Sequence, residues 1–449
     1  MKQRGKRGRH RRRKRGRALR GFLAGTALAL TAAATMISAS QATVADDPGA
    51  LKPLTSPSDT APLRLREHLV PRRTLDRLAT AMGRPVGVDA VLRSADRALL
   101  DAADCTSAER ATLPVAPAAT RAYCWDPADT ATPDWRPASV TASGDAAHVG
   151  TRESHGVILA GWTHSATAGS SAERGLARVA FVDATDPARL AYRWVLLAVP
   201  TADGRDYRGL VSPVSGMVRY QDKLLVTAGR GTAEALYVYD LNRIQRTTVA
   251  APAIGRVPGG WSADGYGYVM PAVGSYRFTT GPCGSDDTDA PCPGTLSLDR
   301  GPATTGLVAS EWTPADSDHR ARLWRYTFSV DPSRAGLLDT DAAGRVKAVE
   351  AYRTRAAGIR GVLAYHRTGS ARPAFYLGHA PDSRSGHGGL WRQDTDGARA
   401  TRCGADATHL CWAQEPGSLS YGQERGEVWS LSGRMLFSVP LGSIDSSLG

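Results

Sequence analysis

Two histidines flank an aspartate in the segment Gly378-His379-Ala380-Pro381-Asp382-Ser383-Arg384-Ser385-Gly386-His387, and a loop folded back on itself can bring two imidazoles and a carboxylate onto one ion. The H-E-x-x-H spacing that grips zinc from one helix face is absent, so a polar loop is the favoured reading and neither metal nor cofactor is expected. Gly260-Trp261-Ser262-Ala263-Asp264-Gly265 comes close to the G-x-S-x-G elbow of a serine hydrolase, but it sits among turn residues and reads as a loop. Acidic turns occur at Asp339-Thr340-Asp341-Ala342-Ala343-Gly344, at Asp394-Thr395-Asp396-Gly397, and at Asp286, Asp287 and Asp289. A calcium ion wants about six to eight oxygens; each of these runs is short of ligands, so solvated turns are expected.

Glu153, Asp183, Glu311 and Glu415 lie near the ends of predicted strands. Two carboxylates meeting in one pocket, one with a raised pKa, would suit a glycosidase, but spacing along the chain does not make these four converge. The ten Trp are bulky filler for facing apolar sheets, with one or two expected at the surface as stacking platforms. Arg360, just before Gly361, is the strongly polar candidate for ligand binding; an ordinary salt bridge is the competing reading.

The elements that must carry these residues are mostly strands. From about Arg136 onward, short runs of Val, Leu, Tyr, Trp and Phe are broken by Gly, Asp and Pro, which is strand and turn chemistry. A loose repeat is clearest in Ser215-Gly216-Met217-Val218-Arg219-Tyr220, a turn at Gln221-Asp222-Lys223, then Leu224-Leu225-Val226-Thr227 and Leu236-Tyr237-Val238-Tyr239-Asp240. Similar stretches run from Arg360 to Asp394, from Ser418 to Leu431 and from Val157 to Asp183, with an irregular fifth from Tyr266 to Phe328. Units of about 60 residues approach the size of a propeller blade plus loops. The expectation is an all-β fold, a five-bladed β-propeller, with six blades or a β-sandwich as alternatives.

Ahead of the strands, residues 73–82 and 87–103 carry helical spacing and predict a short helical lead-in over 73–104. Residues 43–72, rich in Pro, Ser, Thr and Asp, read as a flexible linker, and 105–449 as the propeller-like domain. The first twenty residues hold twelve Lys and Arg and no acid, and an apolar run from Gly21 to Ile37 follows, too short for a comfortable membrane span. Small residues at Ser40-Gln41-Ala42 or Thr43-Val44-Ala45 complete a removable signal, over 1–42 with the cut after Ala42, the alternative cut lying after Ala45, with general secretion favoured over the twin-arginine route. All but one unit of the +13 net charge therefore resides in the leader; beyond it 44 bases face 43 acids. Nucleic acid is excluded as a partner, because a folded domain that neutralises phosphates needs a basic surplus of its own.

Six cysteines fall into three short-range couples, Cys105 with Cys124, Cys283 with Cys292 and Cys403 with Cys411. None has metal or redox spacing, short loops close at low entropy, and an exported chain meets oxidising conditions, so structural disulfides are expected.

At Cys124-Trp125-Asp126, at Val179–Asp183 followed by Tyr192–Leu197, and at Gly216–Tyr220 with Leu236–Asp240, the chain resembles uncharacterised secreted β-propeller-like proteins of actinobacteria. The resemblance spans roughly residues 100 to 440 and implies a propeller fold and an extracellular location. In those relatives a polar residue often precedes the Gly that opens a blade. Here Ala138, Ser215 and Gly417 stand at those places and Arg360 alone is strongly polar, which implies a diluted central polar site. The functional expectation is a secreted, non-enzymatic binder of a glycan, protein or other ligand, not an integral membrane protein once the signal is cut. The alternative is a glycan-active hydrolase or lyase using carboxylates at the propeller mouth.

Overall fold

The computed structural model describes residues 47–142, 156–165, 167, 174–229, 231–284, 289–302, 304–315, 320–367, 370, 372–381, 386–404 and 408–449. The signal over 1–42, together with Glu153, Asp286, Asp287 and Asp382, lies outside these residues. Within them the fold is mainly β, and most strands fall into five antiparallel four-strand units.

Unit I comprises Trp135–Ala142, Val157–His164, Ala177–Asp183 and Ala191–Pro200. Unit II comprises Met217–Tyr220, Lys223–Thr227, Glu234–Asp240 and Tyr268–Phe278. Unit III is built from Pro293–Arg300, Thr305–Glu311, Arg322–Thr327 and Glu350–Arg353. Unit IV has Ile359–Tyr365, Ala374–His379, Leu390–Gln393 and Ala398–Ala400. Unit V joins Ser420–Gly422, Glu427–Ser432 and Met435–Pro440 to Arg121–Cys124 from far earlier in the chain. Each opens on its innermost strand and works outward. Units I and II also fuse at their outer strands, where Val269 pairs with Leu196 in parallel.

An innermost strand has an unpaired edge, and unpaired amides away from water are costly. Small hydroxyl residues supply the missing partners across unit boundaries. The Val140 amide donates to Ser418 Oγ at 2.7 Å and the Ala142 amide to Ser420 Oγ at 3.0 Å, joining units I and V. The Arg219 amide donates to Thr141 Oγ1 at 3.1 Å, joining I and II, and the Ala364 amide to Ser297 Oγ at 3.2 Å, joining III and IV. At the remaining boundaries two glycines permit close approach. A Cβ on Gly216 would lie 2.6 Å from Leu296 N, and one on Gly361 would lie 2.8 Å from Gly417 O. The inner strands thus meet in cyclic order around a nearly closed, barrel-like arrangement, with apolar residues filling the layers between units.

Several expectations need correction. The segment from Asp47 to Arg72, read as linker, is part of the fold. Lys52–Pro53 pairs with the edge of unit III, Leu65–Leu69 pairs with Tyr268–Phe278, and Leu63 is fully buried. Its prolines serve edge positions and helix starts, where a missing N–H costs nothing. The helix predicted over 73–82 forms as Arg72–Met82, burying Leu75, Leu78 and Met82, and ends at Gly83, whose φ is +104°. The helix predicted over 87–103 stops at Val88–Leu92. The chain then extends, with Arg97 pairing with Tyr192 and Leu100 with Cys124, because covering exposed strand edges outweighs local helical spacing. The unit expected from Tyr266 to Phe328 is also redrawn. Tyr268–Phe278 closes unit II, and unit III starts at Pro293.

The three disulfides join Cys105 to Cys124, Cys283 to Cys292 and Cys403 to Cys411. Among the described residues no helix is long and apolar enough to cross a membrane.

Candidate functional site

The openings of the five inner strands surround one cavity of about 820 Å³. Ala138 contributes from unit I, Ser215 from the approach to unit II, Gly294 from unit III, Arg360 from unit IV and Gly417 from the approach to unit V. The four positions aligned by sequence resemblance, Ala138, Ser215, Arg360 and Gly417, therefore lie on one wall-to-wall site.

Three charged residues line the cavity: Arg136, Arg360 and Glu415, all exposed to it. Among the described residues Arg360 makes no hydrogen bond or ion pair. Burial of the surroundings alone lowers its guanidinium pKa from the ordinary value, with no carboxylate raising it. Among the described residues no ion pair supports the salt-bridge reading of Arg360. Arg136 is equally unpartnered among the described residues and was not singled out from sequence. The usable signal was its place at the opening of unit I, just ahead of Pro137 and Ala138.

The loop leading to Arg136 is held by Arg434, which donates to Asp129 O at 2.9 Å, Thr132 O at 2.7 Å and Trp135 O at 2.8 Å. Burial, then the positive charges of Arg136 and Arg178, keep the Arg434 pKa below its ordinary value. On the opposite wall the Trp312 amide donates to Cys292 O at 2.7 Å, which ties that indole to the Cys283–Cys292 bridge. Nine of the ten Trp are buried, and Trp312, half-buried, borders the cavity.

The other sequence candidates are dispersed. His379 Nδ1 bonds to Ala357 O at 2.9 Å and His387 Nε2 to Leu113 O at 3.1 Å, so the two imidazoles serve different loop carbonyls. Burial pushes the His379 pKa down to about 4. Ser262 is fully buried on the hairpin Ile254–Val257/Gly260–Ala263, and its hydroxyl donates to Ala251 O at 2.8 Å, which leaves no exposed nucleophile. Asp341 and Asp394 each accept bonds from nearby backbone amides, the pattern of a turn, and among the described residues no group of three candidate metal ligands occurs.

The proposed carboxylates do not gather. Asp183 accepts from the Thr185 amide at 3.0 Å, Glu311 is bound to Arg322 at 2.8 Å, and Glu415 alone of the four lines the cavity, Glu153 lying outside the described residues. A second cavity of about 770 Å³ beside unit IV holds Asp394, Asp396 and Asp445. Asp445 there already accepts from Tyr376 Oη at 2.7 Å and Arg392 Nη1 at 3.1 Å, which leaves it poorly placed for acid–base work.

No protein-family model and no curated protein matches the chain. Among solved structures, Drosophila Plexin A in complex with Semaphorin 1b is similar at a TM-score of 0.28 and 8% identity, over 64% of this chain and 71% of that one. A likeness that low carries no weight for fold or function.

Proposed function

We propose that the chain is an exported, non-enzymatic binding protein, built as a five-bladed β-propeller, that takes its ligand at the mouth where the inner strands converge. The observation that carries this reading is the cavity itself: each unit contributes an opening residue to one concave space, and a strongly polar Arg360 faces into it with no protein partner among the described residues. Concave sites with a few convergent polar groups are where ligands bind. The propeller reading is supported by five four-strand units in cyclic contact and by the closing of unit V with an N-terminal strand. Export is supported by the basic leader, its short apolar run and three disulfides.

The alternative, a glycan-active enzyme, needs two carboxylates in one pocket, and Glu415 is the only one among the described residues lining the mouth. The test is a binding screen of glycans, polysaccharides and extracellular proteins on the oxidised protein, with product analysis of every hit. Binding without turnover is expected. Cleavage of a bound glycan would overturn the non-enzymatic reading, and a screen with no hit at all would overturn the binding reading.

A further inference from the structure

Resting on the reading of the mouth as a binding site, we infer that its ligand is a small acidic saccharide, its carboxylates held by Arg360 and Arg136 and a sugar ring lying against Trp312. The charge pattern points this way first. Elsewhere in the molecule several enclosed arginines have carboxylate partners: Arg178 meets Asp129, Arg322 meets Glu311, Arg325 meets Asp299 and Arg334 meets Glu67. Arg136 and Arg360, both exposed at the same cavity, have no carboxylate partner among the described residues. Among the described residues they face one carboxylate, Glu415, so the described lining carries a net positive charge. Arg434, within electrostatic reach of Arg136, adds to it while spending its own donors on backbone carbonyls.

An unpaired guanidinium offers a planar fork of N–H donors that matches a carboxylate bidentately, and the pairing strengthens where water is partly excluded. Desolvation without a compensating anion is what Arg360 experiences; a carboxylate ligand would supply that anion. The second element is Trp312, the one tryptophan not buried, and an indole beside polar donors suits the apolar face of a sugar ring. The third is size: about 820 Å³ falls within the range of small-ligand sites, about 300–1,000 Å³. An acidic peptide would satisfy the arginines equally well, but a concave space with an aromatic wall favours a ring-shaped ligand over an extended chain.

The test is calorimetric titration of the oxidised protein with tetrasaccharides of galacturonate and of mannuronate, with the fully methyl-esterified tetragalacturonate, and with a hexaglutamate peptide. The acidic sugars should bind, more weakly as salt rises, and the neutral ester should bind about tenfold or more weaker. Arg360→Ala should cost about tenfold in affinity for the acidic sugar, one bidentate contact's worth. Arg136→Ala should cost somewhat less, and Arg360→Lys should fall between, with the urea midpoints unchanged. Equal binding of acid and ester would overturn the inference while leaving a binding mouth. Arginine-dependent binding of hexaglutamate alone would replace the saccharide by a peptide. Binding of none of the four probes would overturn the acidic-saccharide assignment, and the wider screen would then decide the binding reading separately.

Discussion

The backbone amide of Val140 donates to Ser418 Oγ across 2.7 Å, and Ser418 Oγ in turn reaches Val140 O at 3.2 Å, tying the first inner strand to the last across 278 residues of chain. Both residues are buried, so the serine satisfies an edge amide that water does not reach. Ser418→Ala should leave that amide unpaired and cost about 1–3 kcal/mol in urea unfolding. An exposed serine such as Ser446 replaced by Ala should cost well under that, and equal effects at the two sites would refute the closing role.

Asp129 is the centre of a buried polar knot. It accepts from Tyr192 Oη at 2.5 Å, Trp194 Nε1 at 3.0 Å and Arg178 Nη2 at 3.3 Å, while the Arg178 guanidinium lies 3.7 Å over the Trp194 ring. Burial, then the Asp129 charge, drives the Tyr192 pKa far upward. Asp129→Ala should destabilise by about 3–5 kcal/mol, because Arg178 is left buried without a counter-charge. Adding Arg178→Met should recover part of the loss, and full additivity in denaturant unfolding would contradict the coupling.

Acid should weaken the fold through His379. Its Nε2 is buried without a partner among the described residues, and its pKa is pushed down to about 4, against about 6.5 in an unfolded chain. Between those values the unfolded state binds the extra proton, so stability rises with pH from about 4 to 6.5 and is complete above. The contribution at neutral pH is about 3 kcal/mol at most. His379→Phe should flatten the pH dependence of the urea midpoint across that window, and an unchanged slope would show that other groups carry it.

The Cys105–Cys124 bridge, with a sequence separation of 19, fastens the N-terminal segment to the strand that completes unit V. Replacing both cysteines by serine should cost about 3 kcal/mol. The loss should appear in the thermal midpoint, and an unchanged midpoint would contradict the bridge's stabilising role.

Local patterns made much of this molecule legible in sequence. Met217–Tyr220, Lys223–Thr227 and Glu234–Asp240 stand where alternating apolar runs and turn residues put strands, and Arg360 lies at the mouth with the positions aligned to it. Non-local pairing was harder to read. Tyr268–Phe278 carries the same apolar signal as an inner strand, and only its partners, Glu234–Asp240 and Leu65–Leu69, make it an outer one. The prolines of residues 47–71 suggested a tether because composition does not reveal which sheet edges need covering. Asp129, in the one-turn helix Pro127–Thr130 capped by Asp126, carries no local sign of the tryptophan and arginine that enclose it.

The most direct test of the account compares wild type, Arg360→Ala and Ser215→Trp for binding of each ligand found by screening. Ser215 borders the same cavity from unit II's approach, so a tryptophan there would narrow the mouth from that side. The account predicts that Arg360→Ala keeps its unfolding free energy within about 0.5 kcal/mol, as exposed substitutions do, and that both variants lose about tenfold or more in affinity. Ligands that bind both variants as tightly as wild type would contradict it and move the binding site away from the mouth.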